Sequence, residues 1–410
     1  MTRPGTSTSP WAVLLLAWLG WVFDVADTAI FNLAKVPMLT GMLGVAEYAR
    51  RGTAVEAQIQ TVFLIGWSIG GLGFGILADR WGRTRTLVLT VLLYCLCTGL
   101  TVLCKTPEQV AVARFLTALG IGGEWAAGAA LVAETFADGF RPTVSSLLQT
   151  AAAFGPMLAA VANLLLAGKP WQWLFLVGIL PALVCCLARL GAHDSKPVMQ
   201  KKANPLRDLW NDPALRRRAG LAMIVGAVGI AGAGTASFWQ PNLVKEVSIG
   251  VTKQVLDART SHVTLISHLG TLAGVFAVPW LCRVFGRKPT IAAFYVATPL
   301  VVIVALGTGT TYVRLELLLP MVNFFAIGVS GAFVLYFPEL FPSDVRATGA
   351  GLAYNVGRIL SVPMPLATAW AIRQYGGSIA TGVVLSGSVY LLGLIAIPFL
   401  PETKGKPLPA

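Results

Sequence analysis

The chain contains few charged residues, few histidines and no spaced cysteine motif. Only 12% of its 410 residues are charged, against about 25% in an average soluble domain. The chain has three histidines and six cysteines. No two cysteines form a Cys-x-x-Cys pair, so the usual zinc-site and disulfide frameworks are not indicated. No nucleophile–base pair and no phosphate-binding loop is visible. We therefore expect no enzymatic activity, no cofactor and no bound metal.

Apolar residues dominate the composition instead. They make up 56% of the chain, and the mean hydropathy is +0.72, which is typical of an integral membrane protein. The net charge of +13 does not indicate nucleic-acid binding, because the basic residues are spread through short loops between apolar stretches. No cleavable signal peptide is indicated, since the first apolar run is too long and contains two acids.

Twelve stretches are long enough to cross a bilayer, which requires about 20 apolar residues. They are 11–35, 59–78, 86–104, 108–134, 143–166, 171–190, 219–242, 262–282, 289–307, 313–337, 349–372 and 378–399. The predicted fold is therefore an all-α membrane protein with twelve transmembrane helices. The loops that share a side with the termini hold more Lys and Arg, so both termini are predicted to be cytoplasmic.

A polar stretch and an internal repeat divide the chain into two halves. Residues 191–218 form the longest polar stretch, which predicts a linker between six-helix bundles at 1–190 and 219–410. Gly82 aligns with Gly286 at a shift of 204, and Glu134 aligns with Glu339 at a shift of 205. Two parallel six-helix repeats favour alternating access by rocking of the halves.

Charged residues beside these repeated segments predict a cytoplasmic latch. An acid near the start of a helix is favourable there, and nearby arginines can pair with it across the cytoplasmic end. The predicted gate residues are Asp79, Arg80, Arg83, Glu134, Arg141, Glu339 and Arg346.

Several motifs together resemble the major facilitator superfamily over essentially the whole chain. They are the loop at 71–85, Arg114 with the glycines that follow it, the segment 338–349 and the tail 401–405. The resemblance implies two six-helix halves, a monomer and secondary transport. The segments 20–27 and 122–128 resemble the proton symporters of sialate, lactate and aromatic acids, and the segment 354–359 with Pro363 resembles span eleven of organic-anion carriers. Val25 departs from the pattern, which has glycine there, and Asp27–Ile30 with the tail also resembles sugar porters.

Ionisable residues inside the predicted spans are candidate transport residues, because charges in a membrane must pair or line water. Asp24 and Asp27 lie three residues apart and so share one helix face. Asp27 is expected to pair with Arg114. The predicted proton-coupling residues are Asp24, Asp27, Arg114 and Glu124.

Arg358 is the predicted substrate anchor. A guanidinium binds a carboxylate through two parallel hydrogen bonds, and the resemblance to organic-anion carriers implies the same role. The predicted uncharged lining of the site comprises Tyr354, Asn355, Trp239, Gln240, Asn323, Tyr336 and Gln149.

The leading hypothesis is proton-coupled symport of a small organic anion, a mono- or aromatic carboxylate. The expected partners are this anion, protons and the lipid bilayer, and no nucleic acid. Short loops and the absence of an Asn-x-Ser/Thr site favour a bacterial inner membrane. A sugar or polyol symporter, a drug or cation antiporter and a transporter-like sensor are the alternatives.

Overall fold

The protein is helical throughout most of the part described by the computed structural model. This part covers residues 10–81, 83–136, 141–179, 205–307, 309–342, 344–406 and 409. Eight of its helical stretches are long and apolar enough to cross a membrane. The chain divides into two compact units, one built from 1–197 and 240–265 and the other from 198–239 and 266–410.

The first unit is formed by the helices that precede residue 180 and by the segment 240–265, where one helix ends and the next begins. Its helices are α1 (Pro10–Leu43), α2 (Val45–Trp81), α3 (Arg83–Thr101), α4 (Pro107–Thr135), α5 (Arg141–Gln149), α6 (Ala151–Leu165) and α7 (172–179). Helix α2 packs along α4, α3 also packs on α4, and α1 packs on α6.

The second unit contains the remaining helices. They are α8 (Pro205–Asn211), α9 (Pro213–Glu246), α10 (Lys253–Phe285), α11 (Arg287–Leu306), α12 (Tyr312–Ala326), α13 (Ser330–Glu339), α14 (Arg346–Ser361), α15 (Met364–Gln374), α16 (Ile379–Ser386), α17 (Val389–Ala396) and the short 3-10 helix Ile397–Phe399. Helices α9 and α10 also contribute the segment 240–265 to the first unit.

Helix α1 is much longer than its predicted span at 11–35. It has 34 residues, a length of about 51 Å at 1.5 Å per residue, whereas the hydrocarbon core is about 30 Å thick. It starts at Pro10, where the missing amide is harmless, and ends where Gly44 takes a φ of 80°. Positive φ at a helix end favours glycine. The α1–α2 turn therefore lies well beyond the apolar run.

Four predicted spans contain a break between helices: 143–166, 313–337, 349–372 and 378–399. The span at 313–337 breaks between α12 and α13, where a Cβ on Gly274 would lie 3.0 Å from the Cα of Gly328. The span at 349–372 breaks before Met364 because Pro363 has no backbone N–H to donate. Residues 191–204 of the predicted linker at 191–218 lie outside the described residues, whereas its later part forms α8 and the start of α9. The division into halves at 190 and 219 stays a prediction.

Candidate functional site

Asp27 and Arg114 form the predicted ion pair in the interior of the first unit. Arg114 Nη1 lies 2.6 Å from Asp27 Oδ2, and Thr98 Oγ1 donates to Asp27 Oδ1 at 2.6 Å. The three residues come from α4, α1 and α3. Asp27 is 4% exposed and Arg114 is fully buried. Both carboxylate oxygens are therefore satisfied, as a buried charge requires.

The guanidinium of Arg114 is also held by two aromatic rings. Its Cζ lies 4.7 Å from the ring centroid of Phe31 and 4.4 Å from that of Phe63. Such cation–π contacts stabilise a desolvated cation by about 2 kcal/mol. Nε and Nη2 of Arg114 have no hydrogen-bond acceptor among the described residues. The guanidinium thus donates to Asp27 through Nη1 alone.

Close helix packing brings Arg114 to this position. A Cβ on Gly70 of α2 would lie 2.1 Å from the carbonyl oxygen of Leu119, and one on Gly122 of α4 would lie 2.2 Å from that of Trp67. Only glycine permits these approaches, which is the way small residues work in membrane helix pairs. The contact sets the rotation of α4 against its neighbours and so places Arg114 in the interior.

The other predicted coupling residues are less well defined. Asp24 is completely buried on α1, one turn before Asp27. Gln149, a predicted lining residue, is also buried at the end of α5. Glu124 lies on α4, but its side chain falls outside the described part.

A second buried ion pair was not predicted. Lys35 Nζ lies 3.2 Å from Glu56 Oε2, and both side chains are completely buried. Lys35 is the last residue of the predicted span at 11–35, but α1 continues eight residues beyond it, so Lys35 lies inside the helix. Glu56 precedes the predicted span at 59–78 by three residues, so no span criterion included it. The one sequence feature that indicates a buried Glu56 is its position between the apolar residues Val55 and Ala57.

Two further groups complete the surroundings of Glu56. Asn242 Nδ2 donates to Glu56 Oε2 at 2.9 Å, and the Tyr48 hydroxyl donates to Glu56 Oε1. Lys245 Nζ lies 4.5 Å from the centroid of the Tyr48 ring. Residues 242 and 245 belong to the end of α9 that packs in the first unit.

Arg358, the predicted substrate anchor, lies in α14 of the second unit. Its side chain is 8% exposed, and its Cζ lies 5.4 Å from the centroid of the Tyr354 ring. Asn355 turns its amide back to the Gly351 carbonyl at 3.0 Å. Asn323 on α12 is buried, and its Nδ2 has no acceptor among the described residues. These placements leave the predicted anchor role of Arg358 as a prediction.

The remaining predicted lining residues have structural contacts. Trp239 is buried and its ring packs edge-on against Phe238, at 5.0 Å between centroids. Gln240 Nε2 donates to Thr264 Oγ1 at 3.3 Å. The Tyr336 hydroxyl donates to the Pro401 carbonyl at 2.6 Å. Tyr336 thus contacts the segment that follows the last span, and its predicted place in the substrate site stays a prediction.

Two of the residues predicted to form a cytoplasmic gate, Glu339 and Arg346, have described side chains. Glu339 accepts two hydrogen bonds from Arg287, at 2.9 and 2.7 Å, and one from Thr403 Oγ1 at 2.6 Å. Arg346 donates to the carbonyls of Phe341 and Pro409. The side chains of the other predicted gate residues lie outside the described part: Asp79, Arg80, Arg83, Glu134 and Arg141.

Glu402 caps helix α11 and was not predicted to do so. Its carboxylate accepts from the backbone amides of Arg287 at 3.0 Å and Lys288 at 2.9 Å, and from those of Thr403 and Lys404. Burial alone would raise the pKa of Glu402, but these four amides hold the pKa below its ordinary value. An acid near the first turn of a helix is favourable.

Comparisons with known proteins place the chain in a family. Residues 17–365 match the family described as Major Facilitator Superfamily. A probable 4-methylmuconolactone transporter of Cupriavidus pinatubonensis is 30% identical over 94% of this chain and 89% of its own length. The niacin transporter NiaP of Acinetobacter baylyi is 25% identical over 97% of this chain and 95% of its own.

The fold agrees with a solved transporter structure. The partially occluded, inward-open xylose transporter XylE from E. coli has a TM-score of 0.72 at 19% identity, covering 98% of this chain and all of that one. At this identity the likeness shows the fold alone. The helices, the buried charge pair and the family match lead to one conclusion: the chain belongs to the major facilitator superfamily and is an integral membrane transporter, not an enzyme.

Proposed function

We propose that the protein is a proton-coupled symporter of a small organic anion, a mono- or aromatic carboxylate. The observation that carries this proposal is the buried Asp27–Arg114 pair, with its second donor Thr98. Asp27 is a titratable acid in the interior of a transport protein, and its partner is a displaceable cation. Intramembrane acids of this kind form the proton relays of transporters.

Protonation of Asp27 would release Arg114. A neutral carboxyl group no longer holds the guanidinium through charge, while two of the guanidinium nitrogens already lack an acceptor among the described residues. The freed cation then attracts an anion, because a buried charge without a partner costs several kcal/mol. In this way one proton favours the binding of one anion.

Arg358 is proposed as the anchor for the substrate carboxylate. It is a buried guanidinium on a helix of the second unit, and it lies over an aromatic ring that supports its orientation. An arginine in that setting binds a carboxylate through two parallel bonds. The names of the two relatives, which refer to 4-methylmuconolactone and niacin, support a small organic substrate of this size.

The membrane arrangement is part of the proposal. The excess of Lys and Arg in alternate loops supports cytoplasmic termini, and the internal repeat supports two halves, 1–190 and 219–410, that rock during transport. The protein acts as a monomer in a bacterial inner membrane, with protons and the anion as its ligands.

Uptake into proteoliposomes tests the proposal. Labelled niacin, benzoate, lactate and sialate are offered with and without an inward proton gradient, with D-xylose as a neutral comparison. We expect one of the acids to accumulate only with the gradient. Arg358→Ala should abolish that uptake, while Arg373→Ala, which removes an exposed arginine at the end of α15, should leave it unchanged.

Other outcomes would redirect the assignment. Accumulation of xylose that tolerates Arg358→Ala would replace the anion proposal with a sugar symporter. Anion uptake that does not depend on the proton gradient would support the anionic substrate and contradict the proton coupling.

A further inference from the structure

The contacts of Glu56 resemble the contacts of a bound carboxylate ligand. An ammonium, an amide and a phenol converge on its two oxygens: Lys35 Nζ at 3.2 Å, Asn242 Nδ2 at 2.9 Å and the Tyr48 hydroxyl. They come from α1, α9 and α2. A second ammonium, Lys245, lies against the Tyr48 ring at 4.5 Å. These groups are two cations, one carboxylate and neutral donors.

Unsatisfied acceptors lie beside this cluster. Asn32 precedes Lys35 by three residues on α1, and Gln60 follows Glu56 by four on α2. Because α1 and α2 run antiparallel through the tight turn at Gly44, both residues lie one turn from the ion pair in the same direction. Each is 8% exposed, and the side-chain oxygen of each has no donor among the described residues. A ligand with a hydroxyl or N–H group would supply the missing donors.

One member of the cluster, Lys35, lies on the same helix as the proposed coupling acid, Asp27. Lys35 follows Asp27 by eight residues, about 12 Å along α1 at 1.5 Å per residue. Asn32 lies between them. Helix α1 thus carries three buried polar side chains, Asp27, Asn32 and Lys35.

We propose that Lys35, Tyr48 and Asn242 form a binding site for the carboxylate of a small organic anion, and that Glu56 occupies this site until it takes up a proton. The inference rests on the proposed function only in the nature of the ligand. The titratable and charged groups that face Glu56 are Lys35 from α1, Tyr48 from its own helix and Lys245 from α9.

The exchange balances in charge. Before it, the Lys35 ammonium faces the Glu56 carboxylate. After it, a proton from the solvent lies on a Glu56 oxygen and the incoming carboxylate faces Lys35. An anion without the proton would leave Glu56 charged and unpaired, which costs several kcal/mol in a buried position. One anion therefore enters with one proton.

Small carboxylates offered to a variant that lacks Glu56 test the site directly. The full-length Glu56→Ala protein, purified in detergent at pH 7.5, is heated with sodium formate or with sodium chloride at the same ionic strength. We expect formate, and not chloride, to raise the apparent Tm in a saturable way, because a ligand that binds only the folded state stabilises it by mass action. The double variant Lys35→Met/Glu56→Ala should show no formate effect.

A second variant covers the case in which Glu56→Ala does not fold. Glu56→Gln keeps the size of the side chain and one acceptor oxygen, but it removes the charge and replaces the other oxygen with an amide that donates. We expect it to bind formate about tenfold more tightly than the wild type, a difference that corresponds to about 1.4 kcal/mol. The gain should vanish when Lys35→Met is added. Equal affinity in the wild type and in Glu56→Gln would overturn the proposal, as would a formate effect that survives Lys35→Met.

The results separate this site from the proposed function. Formate binding that depends on Lys35, in a protein that transports none of the acids, would keep the site and remove the transport assignment. Proton-driven uptake of an acid with no Lys35-dependent formate effect would keep the function and show that the pair is only structural. A further sign of a structural pair would be full transport by Lys35→Met/Glu56→Met, since buried ion pairs often tolerate apolar replacement.

Discussion

Asp27 shows how a membrane protein retains a carboxylate in its interior. An unpaired charge at the bilayer centre costs roughly 2.5–3.5 kcal/mol on insertion scales. Here one oxygen is held by the Arg114 guanidinium and the other by the Thr98 hydroxyl, while Phe31 and Phe63 cover the cation. The pair is stable as long as both partners are charged. The same dependence makes it sensitive to one proton.

A double-mutant cycle tests this coupling. Asp27→Asn and Arg114→Gln should each lower the unfolding free energy by about 3–5 kcal/mol, because each leaves one buried charge without its partner. The double variant should be destabilised by less than the sum of the two, by 1 kcal/mol or more. Thermal or denaturant unfolding in detergent measures all four proteins. Glu246→Gln, at an exposed carboxylate of α9, serves as the neutral control.

Additive losses would contradict the pairing. If the double variant equals the sum of the single variants within about 0.5 kcal/mol, the two side chains act independently. The coupling mechanism proposed for them would then fail.

Helix α2 is positioned by its small residues. Gly70 faces α4, where an added Cβ would lie 2.1 Å from the Leu119 carbonyl oxygen, but Gly73 on the same helix has nothing within 4 Å. The two glycines are three residues apart and have opposite surroundings. They therefore form a matched pair for testing whether the α2–α4 contact controls the site.

Gly70→Ala should destabilise the protein by about 1–3 kcal/mol, because the backbone of α4 must move away. Since Arg114 lies on α4, uptake should fall as well. Gly73→Ala should be neutral or slightly stabilising, because alanine is the better helix former by up to 1 kcal/mol. Unfolding in detergent and uptake by proteoliposomes measure both effects. Equal behaviour of the two variants would show that this close contact does not determine the geometry of the pair.

The distribution of charge along the chain predicts how the protein lies in its membrane. The α1–α2 turn and the C-terminal tail are expected on opposite sides, the tail being cytoplasmic. Both regions have exposed residues, Ala46 after the turn and Lys406 in the tail. Among the described cysteines, Cys95, Cys97 and Cys282 are buried, whereas Cys104 is partly exposed. Cys104 is therefore replaced before labelling.

Cysteine labelling in intact cells tests the predicted orientation. In a Cys104→Ser background, Ala46→Cys should react with a membrane-impermeant maleimide without permeabilisation. Lys406→Cys should react only after the membrane is opened. The reverse pattern would invert the topology, and with it the direction assigned to proton-driven transport.

The membrane class, the positions of the helices and the Asp27–Arg114 pair could be predicted from the sequence. Apolar runs of about 20 residues have few alternatives to a spanning helix. Two acids inside such a run need partners, and Arg114 was a cation available in another span. The break at Gly328 could not be placed in advance, because a break of this kind depends on the packing around it.

The tertiary structure decided the remaining contacts. The Lys35–Glu56 pair depends on how far α1 and α2 extend past their apolar runs, and the cap on α11 joins Glu402 to an amide 115 residues away in the chain. Tyr336 likewise binds a carbonyl 65 residues distant. Such contacts follow from the rotation and spacing of packed helices. Close approaches such as the one at Gly70 set these quantities, and a hydrophobic pattern along one helix does not encode them.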